Sequence, residues 1–270
     1  MQNLAHLCEQ VRQISQEVGR WIKTQVGQVS SNQIETKDLN SLVSYVDKYA
    51  ENQLISQLGK LVAGSSFLAE ESGESEVKSD YLWIIDPLDG TTNFLHSIPF
   101  FAISVALQHK GQTILGLIYD IMHENSYYSW GENRAFCDGR EIRVSNQTQF
   151  NQSLVATGFP YYDFSYRQHY LSMIGELMSE TRGLRRLGSA ALDLAYVACG
   201  RFEGFFEYSL SPWDVAAGAF IVQNAGGVVS DFGNGTNYLH GREIIAANPA
   251  CQSALFTCLK KHFHQSSEKN

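Results

Sequence analysis

The segment WIIDPLDGTTNF, residues 83–94, sets two carboxylates, Asp86 and Asp89, three positions apart where an apolar run ends. Pro87 stiffens the turn between them, and Gly90 permits a close backbone approach. Thr91-Thr92 are placed to begin a helix. Two carboxylates on one tight turn can hold a single metal ion or two adjacent ones. The amides of the Gly-Thr-Thr turn can meet an anion. A cation next to such a turn is the arrangement that a phosphate group needs. D-x-x-D-G alone is just as often an ordinary strand-to-helix turn with a capping aspartate, whereas the full string is far more specific.

Two further acids sit at element ends. Glu70-Glu71-Ser72 closes the apolar run FLAEE (67–71), and adjacent acids on an extended chain point to opposite sides. One of the pair can therefore face a site while the other orients a partner or a water. Ser211-Pro212-Trp213-Asp214 opens a helix, where an aspartate is by itself only a favourable first-turn acid. Glu70, Asp86, Asp89 and Asp214 together make an all-oxygen set, with no comparable cluster of His or Cys. Such ligands select hard cations such as Mg2+ over zinc. Unpaired, these like charges would raise one another's pKa; two or three divalent cations remove that penalty and make the pocket attractive to phosphate.

The elements that must position these residues can be read from periodicity. Leu4, Leu7, Val11, Ile14, Val18, Trp21 and Val26 predict an amphipathic helix over 4–26. Leu39, Leu42, Val46, Tyr49, Leu54, Leu58 and Leu61 predict a second over 39–61, after a polar loop or hairpin, TQVGQVSSNQIETKD. FLAEE, YLWIID, AISVAL (102–107), TILGLIYD (113–120) and SYYSW (126–130) read as strands of a mostly antiparallel sheet. His123-Glu124-Asn125 and Asp138-Gly139 read as turns between them. From about residue 150 come a strand, SLVATGF, a helix over 165–180, the helix SAALDLAYVAC and the strand FEGFFEY. The helix SPWDVAAGAFIVQNAGG follows, then the strands GVVSDF and EIIAAN and a closing helix over 249–262. The expectation is an α+β layered sandwich. An N-terminal half, 1–148, would carry the EES and DPLDGTT motifs, and a C-terminal half, 149–270, the WD motif, packed as one unit.

Composition narrows the function classes. The chain has 270 residues, a net charge of −8 and a pI near 5.5. An acidic protein is a poor nonspecific ligand for nucleic acid, and it also repels a phosphorylated small molecule unless a bound cation reverses the local sign. The five cysteines, Cys8, Cys137, Cys199, Cys251 and Cys258, are scattered and odd in number. Neither a disulfide framework nor a zinc site is suggested, and reduced thiols in a cytoplasmic protein are expected. MQNLAHLCEQ is not a secretory signal, and no apolar run reaches membrane-spanning length.

EES (70–72), WIIDPLDGTTNF (83–94), PWD (212–214) and NAGG (224–227), in this order and spacing, resemble the signature blocks of the inositol monophosphatase family. The resemblance runs from the first helix to EIIAAN. It implies the family's sandwich of alternating helix and sheet layers, αβαβα, and Mg2+-dependent hydrolysis of a small phosphorylated polyol by a metal-activated water, with no covalent intermediate. Residue by residue, it implies that Glu70 and Asp86 bridge metals and that Leu88 offers its main-chain carbonyl. Asp89 and Asp214 complete the ligand set. Gly90 and Thr91 bind phosphate, and Asp47 supports the Thr91 hydroxyl, so that Glu70, Thr91, Asp47 and Asp89 carry the chemistry. Gly188-Ser189-Ala190 and Glu207 match substrate-contact positions, with Ala190 packing on the ring and Glu207 accepting hydroxyls; Asp89 and Asp214 also border the substrate. Glu207 also reads as a plain strand-end acid. Arg185 and Arg186 could bind phosphate or pair with acids at a subunit interface, and fit a plain solvated role equally well; Lys37 lies in a loop used near the metals, and His262 and His264 are expected to be exposed.

The same resemblance implies a homodimer and inhibition by lithium. Fructose 1,6-bisphosphatase and 3′-phosphonucleotide phosphatase are sister activities. Gly-Thr-Thr-Asn-Phe is closer to the inositol type, and a bifunctional sugar phosphatase stays open. A non-catalytic interaction protein on the same scaffold is an alternative of another class. A dinucleotide-binding oxidoreductase lacks the G-x-G-x-x-G that it needs.

Overall fold

The computed structural model describes residues 3–38, 41–131, 134–161 and 163–263. Helix α1 (Leu4–Thr24) starts where the Asn3 side chain accepts the amides of Ala5 and His6, and it buries Leu7, Val11, Val18 and Ile22 along one stripe. Strands β1 (Ile34–Asp38) and β2 (Ser41–Ser44) form an antiparallel hairpin. Helix α2 (Tyr45–Leu61) follows directly. Next come β3 (Ser66–Ala69), β4 (Gly73–Glu74), β5 (Tyr81–Asp89), α3 (Thr91–Leu95) and β6 (Ala102–His109). Strands β7 (Gln112–Asp120), β8 (Asn125–Trp130), β9 (Ala135–Cys137) and β10 (Arg140–Ile142) complete the larger sheet. The remainder is β11 (Leu154–Thr157), α4 (Arg167–Glu180), β12 (Gly183–Arg185), α5 (Ala190–Ala198), β13 (Gly204–Tyr208), α6 (Pro212–Asn224), β14 (Val228–Ser230), β15 (Glu243–Ala247) and α7 (Pro249–Phe263).

The larger sheet runs β10-β9-β8-β7-β6-β5-β3-β4 and is antiparallel except where β3 lies parallel to β5. The smaller runs β12-β11-β13-β15-β14. Side-chain alternation along the strands divides the core into layers. Trp83 and Ile85 of β5 pack with α1 and α2, while Ile84 packs with α5 and α6 between the sheets. On β13, Phe205 faces that same middle layer and Phe206 faces α4 and α7. The order of layers is therefore αβαβα, the sandwich that the sequence blocks imply.

Three sequence expectations change. The helix expected over 39–61 begins only at Tyr45, because Ser41–Ser44 pairs with β1 and Ser44 then caps α2; Leu39 lies outside the described residues. β12 was not anticipated, since three residues are too few to show a period. His262, expected to be exposed, has a side chain only 16% accessible and packs against Glu176; His264 lies outside the described residues. The Asp138-Gly139 turn has φ of 46° and 81°, the two positive values that a tight hairpin needs. No helix among the described residues is long and apolar enough to cross a membrane.

Candidate metal and phosphate site

In a regular strand, residues three apart face opposite sides, so Asp86 and Asp89 would diverge. The ladder between β5 and β6 prevents this. Asp86 pairs with Ser104 and Asp89 with Ala102, so β5 advances three residues while β6 moves two. The extra residue is a β-bulge, and it turns both carboxylates to the same side. Asp86 is tied locally, with Oδ1 accepting the Leu88 amide at 2.9 Å.

Glu70 and Asp214 are brought to this bulge from elsewhere in the chain. The parallel pairing of β3 and β5 ends at Ala69 and Ile85, and the Glu70 amide continues it to the Ile85 carbonyl at 3.2 Å, so Glu70 emerges beside Asp86. Buried Glu51 of α2 fixes the following turn, accepting the amides of Glu71 at 2.8 Å and Ser72 at 2.9 Å. Ser104, the ladder partner of Asp86, donates its hydroxyl to the Trp213 carbonyl at 3.1 Å and so seats the start of α6 there. Asp214 reaches back to the Ser211 amide at 2.7 Å. Oxygens of Asp86, Asp89 and Asp214 lie within 4.8 Å of one another. They line one cleft with Glu70, Leu88 and Thr91.

The turn after Asp89 is equally constrained. Gly90 has φ of 95°, and a Cβ there would lie 3.0 Å from the Phe100 carbonyl and 3.2 Å from that of Gly188, so conformation and space both require glycine. Thr91 Oγ1 lies 2.9 Å from Asp47 Oδ1 and 3.0 Å from the Leu88 carbonyl. Asp47 is itself anchored by Oδ2, which accepts the amide and hydroxyl of Ser44. Asn93 donates to the carbonyls of Phe100 and Leu187, both at 2.8 Å, and locks the turn to the loop before α5.

A second cleft adjoins the first, lined by Asp89, Ala190, Asp193, Glu207 and Asp214, with Arg186 and Tyr161 at its side. Ala190 and Glu207 are therefore brought to the acids. Ser189 also lines this cleft and donates its hydroxyl to Asp89 Oδ2 at 2.5 Å, and the Ala191 amide joins it at 2.7 Å. Gly158 exists for Glu207: a Cβ would sit 2.0 Å from its carboxylate. Of the two arginines, Arg186 lies over the Phe159 ring, 5.5 Å from its centre, whereas exposed Arg185 turns to the Leu184 carbonyl. The Lys37 side chain lies outside the described residues. Sequence reasoning missed Glu51, Asn93, Ser104 and Asp193; the Asn of GTTN was the one available signal.

Among the described residues, no cationic side chain lines the cleft that holds Asp86. Asp86 is pushed well up, first by burial and then by Glu70, Asp89 and Asp214, and the charges acting most on it are all carboxylates. Burial and then Asp89 raise Asp214. Burial lifts Asp89 to about 6 against the bonds from Ser189 and Ala191. Glu207 and Asp193 are raised by burial above all, with Arg186 opposing. Buried, mutually repelling oxygen ligands of this kind fit a hard divalent cation.

The family model for the inositol monophosphatase family matches residues 3–268. The chain is 40% identical to an inositol-1-monophosphatase of Mesorhizobium japonicum over 250 residues, 92% of this chain and 94% of that one. It is 42% identical to Nus factor SuhB of Escherichia coli over 225 residues, 83% and 84% of the two chains. The crystal structure of the extragenic suppressor protein suhB from Bartonella henselae superposes with a TM-score of 0.88 at 39% identity, covering 92% of this chain and 96% of that one. A match over nearly the whole length, on a fold that brings the EES, DPLDGTT and WD blocks to one cleft, places the chain in the inositol monophosphatase family.

Proposed function

We propose that this chain is a Mg2+-dependent phosphomonoesterase for a small phosphorylated polyol, with inositol 1-phosphate as the substrate. One observation carries the reading: a cluster of three carboxylates, buried Asp86 with half-buried Asp89 and Asp214, beside the Gly90-Thr91 turn adjoins a cleft lined by further carboxylates. Glu70, Asp86, the Leu88 carbonyl, Asp89 and Asp214 would hold two or three cations. Bound there, the cations supply Lewis acidity to the phosphate and lower the pKa of water.

The chain's own groups do the rest. The amides of Gly90 and Thr91 receive the phosphate oxygens. A threonine hydroxyl has one proton, and when Asp47 accepts it, the Thr91 oxygen keeps its lone pairs for a water hydrogen, which orients that water for in-line attack. Glu207 and Asp193 accept hydroxyl hydrogens of the polyol, and Ala190 lies against its ring. The relative named inositol-1-monophosphatase supports this substrate. Relatives named Nus factor SuhB favour a second reading, an interaction role carried by the same scaffold with or without catalysis.

The deciding experiment is phosphate release from inositol 1-phosphate, glycerol 2-phosphate, fructose 1,6-bisphosphate and adenosine 3′,5′-bisphosphate, with Mg2+ and with chelator. Mg2+-dependent release favouring inositol 1-phosphate is the expected result. Preference for another of these keeps the cation site and changes the alcohol. Absence of release from folded protein moves the weight to the interaction role. Asp89→Asn sharpens the test. The amide oxygen still accepts from Ser189 and Ala191, so the fold holds, while one anionic ligand is lost. Full turnover by that variant overturns the cation assignment.

A further inference from the structure

On the far side of the smaller sheet, Cys258 and His262 stand one turn apart on α7, and Glu176 faces them from α4. Positions four apart on a helix share a face, so both side chains address α4 together. A donor atom of each of the three lies within 4.8 Å of the other two, and His262 Nε2 is 2.8 Å from Glu176 Oε2. The Cys258 thiol is buried, while the side chains of Glu176 and His262 keep 25% and 16% of their surface, so the group opens to water on one side only.

We propose that Glu176, Cys258 and His262 form a second metal site, for a borderline-soft divalent cation such as Zn2+, that clamps α7 to α4. The donor set decides the class of ion. One sulfur, one imidazole nitrogen and one carboxylate oxygen make a three-ligand zinc set with water in the fourth place. Mg2+ has little use for sulfur or nitrogen donors, so this group and the all-oxygen cluster would sort soft from hard cations. The wall behind the thiol is apolar, from Leu177, Leu255 and Leu259, which holds Cys258 in place and keeps water from that side.

The plain alternative is a bridge between helices, in which Glu176 accepts Lys261 at 2.6 Å as well as His262. In that bridge the Cys258 thiol keeps its proton and also bonds to Glu176, and a bound cation would displace that proton. Lys261 is the competitor of any cation here. Its side chain is 58% exposed and free to swing away, so removing its charge tightens the site.

Co2+ is the probe, titrated into chelator-stripped full-length protein in excess Mg2+ that fills the all-oxygen cluster. Thiolate bound to Co2+ absorbs in the near ultraviolet by charge transfer, and the candidate phosphatase cleft offers no thiol. The expected result is a saturable charge-transfer band displaced by Zn2+ and lost in Cys258→Ser. In His262→Ala and Glu176→Gln the affinity falls by at least about tenfold, the loss that even an outer-shell partner causes, and in Lys261→Gln it rises. Folded wild-type protein without the band overturns the proposal, as does a band that survives Cys258→Ser. Should Cys258→Ser fail to fold, unchanged Co2+ affinity in His262→Ala overturns it. Phosphate release is unaffected by any of these variants, so failure here leaves the phosphatase reading as it stands.

Discussion

Glu51 offers a test of how the cleft is held, because it touches none of the candidate ligands. Its two carboxylate oxygens accept the amides of Glu71 and Ser72 at 2.8 and 2.9 Å, and those amides follow Glu70 in the chain. Hydrogen bonds to a charged acceptor contribute about 1.5–3 kcal/mol each. Both amides are partly buried and can recover some hydration, so Glu51→Ala should lose about 3 kcal/mol. Glu51→Gln is the more discriminating change. Its carbonyl oxygen can serve one amide, but its NH2 group then faces the other N–H, donor against donor. The loss should be about 2 kcal/mol despite identical shape. A folded domain has about 5–15 kcal/mol in hand, so both variants stay folded. Glu70 is then free to shift, and a misplacement of about 1 Å can lower turnover by about 100-fold. The assays are urea unfolding and phosphate release against Mg2+ concentration, where the variants should need more Mg2+ for half-maximal rate. Glu51→Gln with wild-type stability and an unchanged Mg2+ requirement would refute the reasoning.

Other outcomes follow from the same geometry. Asp193 is a buried acid whose pKa is raised chiefly by burial, so the folded state keeps a proton that the unfolded chain releases above about pH 4. Stability then falls by about 1.4 kcal/mol for each pH unit between the unfolded and folded pKa. Asp193→Asn removes that slope: its advantage over the parent should be absent below about pH 4 and grow toward neutrality, and a flat difference across pH 4–7 rejects it. Gly158→Ala places a methyl where Glu207 now stands, so KM for inositol 1-phosphate should rise while hydrolysis of p-nitrophenyl phosphate, which has no polyol hydroxyls, is spared. Mg2+ at about 100 times its Kd should stabilise the fold by about 2.7 kcal/mol, measured as a rise in thermal midpoint that chelator reverses and Asp89→Asn diminishes.

Local patterns in the chain exposed the acids but not what holds them. Asp86, Asp89 and Asp214 end or begin elements, and that much is visible as a charge next to an apolar period. Glu51 reads as an ordinary residue of an amphipathic helix. Its partners lie 20 and 21 positions away, the Leu187 partner of Asn93 and the Trp213 partner of Ser104 lie 94 and 109 away, and every one of those bonds ends on the main chain. A side chain that bonds to backbone imposes no residue type on its partner, so no pair pattern exists to be found. The β1–β2 hairpin escaped for another reason: the apolar spacing through Leu42 and Val46 is shared by a strand end and a helix start, and only the Ser44 cap separates them.

Each candidate acid also has an innocent local explanation, which is why a single motif argues so weakly. Asp47 and Asp214 each accept the amide of the serine three residues before, at the start of α2 and α6, as capping acids do. Asp86 accepts the Leu88 amide, and Asp89 accepts the Ala191 amide at the start of α5. In all four, the backbone bond engages one carboxylate oxygen and thereby fixes the plane of the group. The second oxygen then has a determined direction, without the rotational freedom that a ligand must otherwise surrender on binding. Capping and ligation are thus successive uses of the same residue. A carboxylate fixed by a backbone bond is a better-aimed group than a free one, and four such carboxylates converging from three elements, α2, β5 and α6, are not explained by helix stability, which needs each cap at its own helix and none near another.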